Sequence, residues 1–174
     1  MGTGAARLVT GAGAETAVAT GVAVLDHLLS ELARTGGFGL LLEIAPDEPE
    51  AEVGAAGTAL GEAFHPLVRS EAARGRGIGI APSDEALAMV VVEVSARALV
   101  VSNADLTASR AGGLRTDLAA AFLDALAEAA GLTVHVRLIE GEDSQHVLLA
   151  IFKALGAALA EATTPRTTPV ERSS

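Results

Sequence analysis

The chain has 174 residues, of which half are apolar, and it carries a formal net charge of −10 with no cysteine. This length predicts one domain, and because four phenylalanines are the only aromatic residues, its core must consist of Ala, Val, Leu and Ile. The acidic balance excludes nucleic acid and anionic membranes as partners, and no apolar run approaches the roughly 18 residues of a membrane span. The absence of cysteine excludes disulfides and favours a cytoplasmic location.

The first half of the chain predicts two helices around one strand. Thr20 is the candidate N-cap of a helix whose apolar residues recur at helical spacing, and Gly36 and Gly37 end this helix. The segment FGLLLEIA then predicts a strand, and PDEPEAE forms an acidic loop. A second helix is predicted from about 53 to 71.

The second half predicts a similar order of elements. EALAMVVVEVSARALVVSNAD predicts one long or two short strands, and RTDLAAAFLDALAEAAG predicts a helix capped by Thr116 or Asp117 and ended by Gly131. LTVHVRLIE predicts a strand, and DSQHVLLAIFKALGAALAEA predicts the last helix. The composition of residues 163–174 predicts a disordered tail.

An internal repeat connects the two halves. At a spacing of 94 to 95 residues, Leu32 and Gly37 align with Leu126 and Gly131, and TALGEAF (58–64) shares four of seven residues with KALGAAL (153–159). The repeat predicts an α/β fold (α+β, two layers) with helices on one face of a mixed sheet. We therefore expect one domain over 1–162, built of repeats at about 20–71 and 115–162, followed by the tail 163–174.

Three of the four histidines lie where a polar site could form. His27 is on the first helix, His135 is in the middle of a strand and His146 opens the last helix. Imidazole is the commonest ligand of transition metals in proteins, and the acidic turns could add carboxylates. The alternative interpretation is that each histidine is a hydrogen-bonded core residue. The glycine-rich stretches GAGAET and GRGIGI complete no phosphate-binding motif, and we interpret both as flexible turns.

Three blocks of the sequence resemble the imidazoleglycerol-phosphate dehydratase family of histidine biosynthesis. TGVAVLDHLLSELARTGGFGL resembles the family's TGIPFLDHML…ARHGGFDL, and PSDEALAMVVVEVSAR resembles PMDEALA…VVDLSGR. GLTVHVRLIEGEDSQHVLLAIFKALGAAL resembles GITLHIRLLYGENAHHIIEAVFKALARAL. The resemblance covers about 20 to 162 and implies a duplicated α/β fold, similar to the second domain of a small-subunit ribosomal protein.

The resemblance also implies a metal chemistry for which this sequence keeps only some of the residues. The family binds two manganese ions between subunits of trimers that assemble into 24-mers, so it implies a homo-oligomer. His27, His135 and His146 stand at three ligand positions. The first HHxxE motif of the family falls on Glu50, Ala51 and Gly54, and the second falls on Gln145, His146 and Leu149. We therefore expect one divalent metal or none.

The residues that bind the substrate phosphate in the family are better preserved. Arg97 matches a phosphate-binding arginine, and Lys153, the single lysine beside eleven arginines, matches a phosphate-binding lysine. A second family arginine falls on Gly75, where Arg74 or Arg76 could replace it. The family's C-terminal phosphate loop STKG has no counterpart in TTPRTTPVERSS.

Three hypotheses about function follow from this pattern. The first is a repurposed family member that binds a phosphorylated or otherwise anionic small molecule and catalyses a different elimination or isomerisation. The second is a non-catalytic assembly or regulatory protein, a pseudoenzyme in which the histidines are structural. The third is a dehydratase, a carbon–oxygen lyase, that still dehydrates imidazoleglycerol phosphate with one metal or without metal.

Overall fold

The computed structural model describes residues 3–9, 13–106, 110–111 and 114–167. Its elements, in chain order, are β1 Gly4–Val9, β2 Ala17–Ala19, α1 Ala23–Gly36, β3 Gly39–Ile44, α2 Pro49–Val68, β4 Arg76–Ser83, β5 Ala86–Val94, β6 Leu99–Ser102, β7 Arg110–Ala111, β8 Leu114–Arg115, α3 Thr116–Ala130, β9 Leu132–Glu140 and α4 Ser144–Thr163. The first sheet has the strand order β1-β3-β2, the second has β4-β5-β9-β6, and β7 pairs with β8.

The four long helices lie between the two mixed sheets. Helices α1 and α2 cover the first sheet, α3 and α4 cover the second, and the two helical layers pack through the pairs α1–α4 and α2–α3. The predicted α/β class, with helices on one face of a mixed sheet, is confirmed for each sheet. Because the two halves stack through their helices, the whole chain forms four layers instead of two.

The two halves share one strand topology. In the first sheet β3 pairs antiparallel with β1 and parallel with β2, and in the second sheet β9 pairs antiparallel with β5 and parallel with β6. The second sheet has β4 in addition, antiparallel to β5 at the edge. This arrangement confirms the predicted duplication of the fold, whereas the repeat and domain boundaries stay predictions.

The ends of the corresponding helices α1 and α3 are built in the same way. Gly37 and Gly131 adopt left-handed φ values of 72° and 69°, and their backbone N–H groups bond to the last carbonyls of each helix. The start of α1 differs from the prediction, since Val22 is the N-cap. Thr20 is fully buried and donates its hydroxyl to the Asp26 carboxylate at 2.6 Å, which ties the preceding strand to the helix.

The glycines of the repeated motif allow the two helix pairs to cross closely. A Cβ added to Gly61 on α2 would lie 2.6 Å from the Leu126 carbonyl oxygen on α3. A Cβ added to Gly156 on α4 would overlap the carbonyl oxygen of Leu32 on α1. The aligned residues therefore recur because each half presents the same glycine to the same leucine backbone of the other half.

The second glycine-rich stretch is a strand, so its interpretation as a flexible turn was wrong. Gly77 and Gly79 lie inside β4 with their backbones against α4, where a Cβ would overlap the carbonyl oxygens of Ala158 and Ala154. The glycines thus bring the strand and helix backbones into contact. The rejection of a phosphate loop agrees with this geometry. Part of GAGAET (11–16) lies outside the described residues. In its described part, Gly13 has a φ of 78°.

Two further expectations change at the C-terminal end. By length and hydropathy alone, α4 could cross a membrane, contrary to our expectation that no such segment exists, but 61% of its most apolar window is buried inside the protein. Residues 164–167, expected to be disordered, pair with the segment that precedes β4. Pro165 bridges to Ala73, and the Arg166 N–H donates to the Ala72 carbonyl at 2.7 Å. Residues 168–174 lie outside the described residues.

Replacing Gly156 with alanine is expected to lower the free energy of unfolding by about 1–3 kcal/mol or more, because the new methyl group must push α4 away from α1. Gly54→Ala is the matched control, since Gly54 is helical and nothing lies within 4 Å of its added Cβ. This control should gain about 0.5–1 kcal/mol from helix propensity. Thermal and urea unfolding measure both variants, and equal stability of Gly156→Ala and wild type would contradict the close crossing.

Candidate functional site

His27 lines a small apolar cavity between α1 and α4. The cavity has a volume of about 300 Å³, and His27 and Gln145 are the polar side chains among its lining residues, which are Ala23, Val24, His27, Leu28, Gln145, Leu148 and Leu149. Gln145 and Leu149 occupy two of the three HHxxE positions on α4. An amide and an isobutyl group offer no carboxylate to a cation, so this cavity favours an apolar or neutral ligand surface over a metal ion.

His146 points to a group of carboxylates at the start of α4. Its Nδ1 lies 2.5 Å from Glu85 Oε2, and its Nε2 lies 3.3 Å from Asp84 Oδ2. Both carboxylates sit in the tight turn between β4 and β5, where Asp84 has a positive φ of 48°. Asp143 caps α4 by accepting the backbone N–H groups of Gln145 and His146. Both ring nitrogens of His146 are therefore within reach of carboxylates of the same subunit.

The Glu85–His146 contact shifts the pKa of both groups. The pKa of the Glu85 carboxyl falls to about 2, first because the Asp143 backbone N–H donates to it and then because His146 does. The pKa of His146 rises, mainly through its hydrogen bond to Glu85. The contact therefore favours a charged pair that holds the β4–β5 turn against the N-terminus of α4.

His135 lies on the other side of the second sheet. Val134 and Val136 point into the core, so His135 projects from the exposed outer face of β9. In the strand register it stands between Val91 on β5 and Val101 on β6. Since the sheet and α4 separate this face from the cavity at His27, the three predicted metal histidines do not meet within one subunit.

The positions of the first HHxxE motif lie at the start of α2. Glu50 forms an ion pair with Arg115 at 3.4 Å, whereas Ala51 and Gly54 have no metal-binding group. Within the part of the chain that the structure describes, no three His, Asp or Glu side chains are arranged to hold a metal ion. The described donors of a single subunit therefore do not form a metal site by themselves.

Three of the predicted phosphate-binding residues lie at one end of the second sheet. Arg74 and Arg76 are at the start of β4, and Arg97 is in the loop after β5. A cavity of about 470 Å³ at this end is lined by Val68, Arg69, Ser70, Glu71, Ala73, Arg74, Gly75, Arg76, Glu93, Val94 and Arg166. Four arginines and two glutamates therefore line this cavity, in a chain whose net charge is −10.

The arginines at this end differ in the partners they have. Arg74 forms an ion pair with Glu161 at 3.0 Å, and Arg69 donates to the carbonyls of Ser95 and Gly131. Arg76 is opposite Glu93 in the β4–β5 register. The sequence patterns did not single out Arg69 or Arg166, because only the folded chain brings α2 and the segment after α4 to the start of β4.

Lys153 lies at the opposite end of the same sheet. Its Nζ donates to the Pro82 carbonyl at 3.3 Å, whereas Arg76 begins the same strand, about 20 Å away at the usual rise per residue. Lys153 also helps to lower the pKa of Glu31 on α1, although the main cause is the hydrogen bond from Arg34. Within one subunit, Lys153 and the arginine cavity are therefore separate sites.

The order of strands and helices defines a class of protein, namely a duplicated α/β domain with four helices between two mixed sheets. Solved structures of this class include the imidazoleglycerol-phosphate dehydratase (IGPD) of Staphylococcus aureus. Its TM-score is 0.83, and it is 28% identical over 95% of this chain and 99% of that one. An IGPD from Pyrococcus furiosus shares the fold with a TM-score of 0.84 and 24% identity, over 98% of this chain and 94% of that one.

Sequence comparison identifies the family. The family model for imidazoleglycerol-phosphate dehydratase matches residues 20–159. The chain is 37% identical over 149 residues to the dehydratase of Clostridium botulinum, covering 83% of this chain and 76% of that protein. It is 36% identical to the dehydratase of Lacticaseibacillus casei, over 82% of this chain and 75% of that protein. The chain belongs to the imidazoleglycerol-phosphate dehydratase family.

Replacing Glu85 with glutamine is expected to return the pKa of His146 toward its ordinary value of 6.5, because the main hydrogen-bond acceptor loses its charge. The pair's contribution to stability should be complete between about pH 4.5 and 6.5. It should decline as pH falls from about 4.5 toward about 2, where Glu85 is protonated, and also as pH rises through the raised pKa of His146. NMR titration of the His146 ring measures the shift.

Glu62→Gln is the control for this titration, since Glu62 lies on α2, away from the pair. It should leave the His146 titration unchanged. An identical His146 pKa in wild type and in Glu85→Gln would show that the two side chains are not in contact in solution.

Proposed function

We propose that this protein is a repurposed member of the imidazoleglycerol-phosphate dehydratase family that binds a phosphorylated or otherwise anionic small molecule without a two-manganese centre. The observation that carries the proposal is the arginine cavity at the start of β4, lined by four arginines in an otherwise acidic chain. Guanidinium groups bind phosphate through paired N–H donors, so this cavity suits an anionic group better than any other described part of the surface.

The replaced residues at the metal positions support the second part of the proposal. Carboxylates neutralise the charge of a bound divalent cation, and Leu149 and Gly54 provide none where the family has glutamates. Gln145 and Leu149 instead line an apolar cavity with His27. The reaction that we propose is therefore an elimination or isomerisation in which side chains of this chain would move the proton. His146, held by Glu85, and His27 are the candidate acid–base groups. They lie near the start of α4, whereas the arginine cavity lies at its end, so they would act on a substrate held by the arginines of a neighbouring subunit.

Retained dehydratase activity is the main alternative. The 36–37% identity to dehydratases and the presence of His27, His135 and His146 favour it. In this case subunit association would have to bring the three histidines together, since they lie apart in one chain. A non-catalytic assembly or regulatory protein is the other alternative, in which the histidines act only in folding, as the Glu85 contact of His146 allows.

Calorimetric titration with imidazoleglycerol phosphate tests the proposal, with and without manganese. Arg74→Gln and Arg76→Gln should each weaken binding by about tenfold or more, because each removes a guanidinium group from the lining of the cavity. Manganese should not change the affinity. Elemental mass spectrometry of protein purified without chelator, and then offered manganese, zinc and nickel, should find less than one metal ion per chain.

Each alternative has its own result in this experiment. Manganese-dependent release of water from imidazoleglycerol phosphate, lost in His146→Ala, would establish the dehydratase and contradict our proposal. No binding of imidazoleglycerol phosphate, inorganic phosphate or pyrophosphate under any condition would favour the non-catalytic alternative. Binding that persists unchanged in both arginine variants would show that the anion site is not at the start of β4.

The same proposal includes a cytoplasmic homo-oligomer that forms through the outer face of the second sheet. Ile78, Ile80 and Leu99 are 51%, 59% and 42% exposed on this face. Exposed isoleucines in adjacent positions of a sheet favour association, because burial removes their apolar surface from water. His135 lies in the same row as Ile78, so a second subunit on this face would cover a histidine that the resemblance assigns to a metal site.

Ile80→Glu is expected to reduce the oligomer to a smaller species, because it places a charge on the exposed apolar face. Light scattering coupled to size-exclusion chromatography measures the mass. Leu67→Glu is the matched control, because Leu67 is 41% exposed at the end of α2 and does not belong to this face. An unchanged oligomer in Ile80→Glu, or a monomeric wild type, would exclude this face as the interface.

A further inference from the structure

The segment that follows α4 brings an additional arginine to the anion cavity. We infer that Arg166 is a phosphate-binding residue of this chain, an inference that rests on the proposed function. Neither the family's phosphate loop nor any pattern in the sequence assigns a role to Arg166. Its position depends on how α4 ends and on where the chain then turns.

Proline determines the path of this segment. Thr164 is extended, with φ −66° and ψ 141°, because the residue before a proline is disfavoured in the helical region. The chain therefore leaves α4 after Thr163 and runs beside the residues that precede β4. The Arg74 N–H donates to the Thr164 carbonyl at 3.0 Å, and the Arg166 N–H donates to Ala72 at 2.7 Å. These bonds fix the backbone of Arg166 at the rim of the cavity.

The guanidinium of Arg166 is anchored through one of its five N–H groups. Its Nε donates to the Ala73 carbonyl at 2.9 Å, and the side chain lines the cavity together with Arg74 and Arg76. Among the residues that the structure describes, the two Nη atoms bond to no other group. Four N–H donors of a planar, pre-oriented fork thus remain available for an anion.

Arg166 is exposed, but the charge balance of the cavity makes it important for binding an anion. Glu161 already pairs with Arg74, which leaves Arg69, Arg76 and Arg166 against the two lining carboxylates Glu71 and Glu93. Without Arg166 the remaining cavity charges would be equal in number. An anion would then lose the net positive potential as well as a hydrogen-bonding fork.

The test compares Arg166→Gln and Arg166→Lys with the wild-type protein by calorimetry, using imidazoleglycerol phosphate and inorganic phosphate as probes. Arg166→Gln should weaken binding of both by about tenfold, as expected for loss of one charge-assisted contact. Arg166→Lys should recover most of the affinity, because it restores the charge. Arg7→Gln is the control for net charge, since Arg7 lies on β1 in the first sheet.

The outcomes separate this inference from the proposed function. If Arg74→Gln and Arg76→Gln weaken binding while Arg166→Gln binds as the wild type does, the proposed function stands and the role of Arg166 is refuted. If Arg166→Gln and Arg166→Lys lose affinity equally and both unfold at a lower temperature, Arg166 only anchors the chain end, which also refutes the inference. If the wild type binds neither probe, both the inference and the proposed anion site fail.

Discussion

The whole architecture depends on close contacts between helix backbones, of Gly57 and Gly61 with α3 and of Gly156 with Leu32 on α1. Each contact joins a helix of one half to a helix of the other, so neither half can bury its helical layer alone. The absence of a side chain at the crossing brings the helix axes together, and the Ala- and Leu-rich core fits into the narrow space that remains. A core with only four phenylalanines is sufficient because the layers are thin. The same principle recurs between β4 and α4, where Gly77 and Gly79 replace side-chain packing with backbone contact.

The sequence was most informative where the local backbone conformation strongly favours one residue type. Gly37 and Gly131 could be assigned to helix ends because a left-handed backbone favours glycine, and the recurring LG pair revealed the duplication before its structural reason was known. The interpretation of GRGIGI was wrong because these glycines are needed where β4 contacts the backbone of α4, which is distant in the chain. The local sequence pattern cannot show which distant element will pack there. The four-layer stacking could not be predicted for the same reason. Two similar halves can pack in several ways, and only tertiary contacts select one.

The candidate site shows a similar limit. Histidines and arginines at family positions could be found through the family resemblance, but their grouping could not. Arg74, Arg76 and Arg97 meet at one end of the second sheet, Lys153 lies at the other end, and His135 projects from the opposite face. Asp84 and Glu85, which hold His146, belong to a conspicuous sequence block, yet their partner is about sixty residues away along the chain. A chemical assignment by motif alone therefore combines residues that one subunit keeps apart.

The contact between the chain end and the segment before β4 has a practical consequence for anyone handling this protein. The last described residue, Thr167, directly follows an arginine that lines the cavity, so a peptide joined directly to Thr167 would begin beside that opening. An acidic fusion there would compete with small anions for the arginines and lower their measured affinity. The carbonyl of Thr3, by contrast, pairs with Ala45 beside the first sheet. An affinity tag is therefore better placed beside the first sheet, since the two helical layers separate that sheet from β4, where the cavity lies.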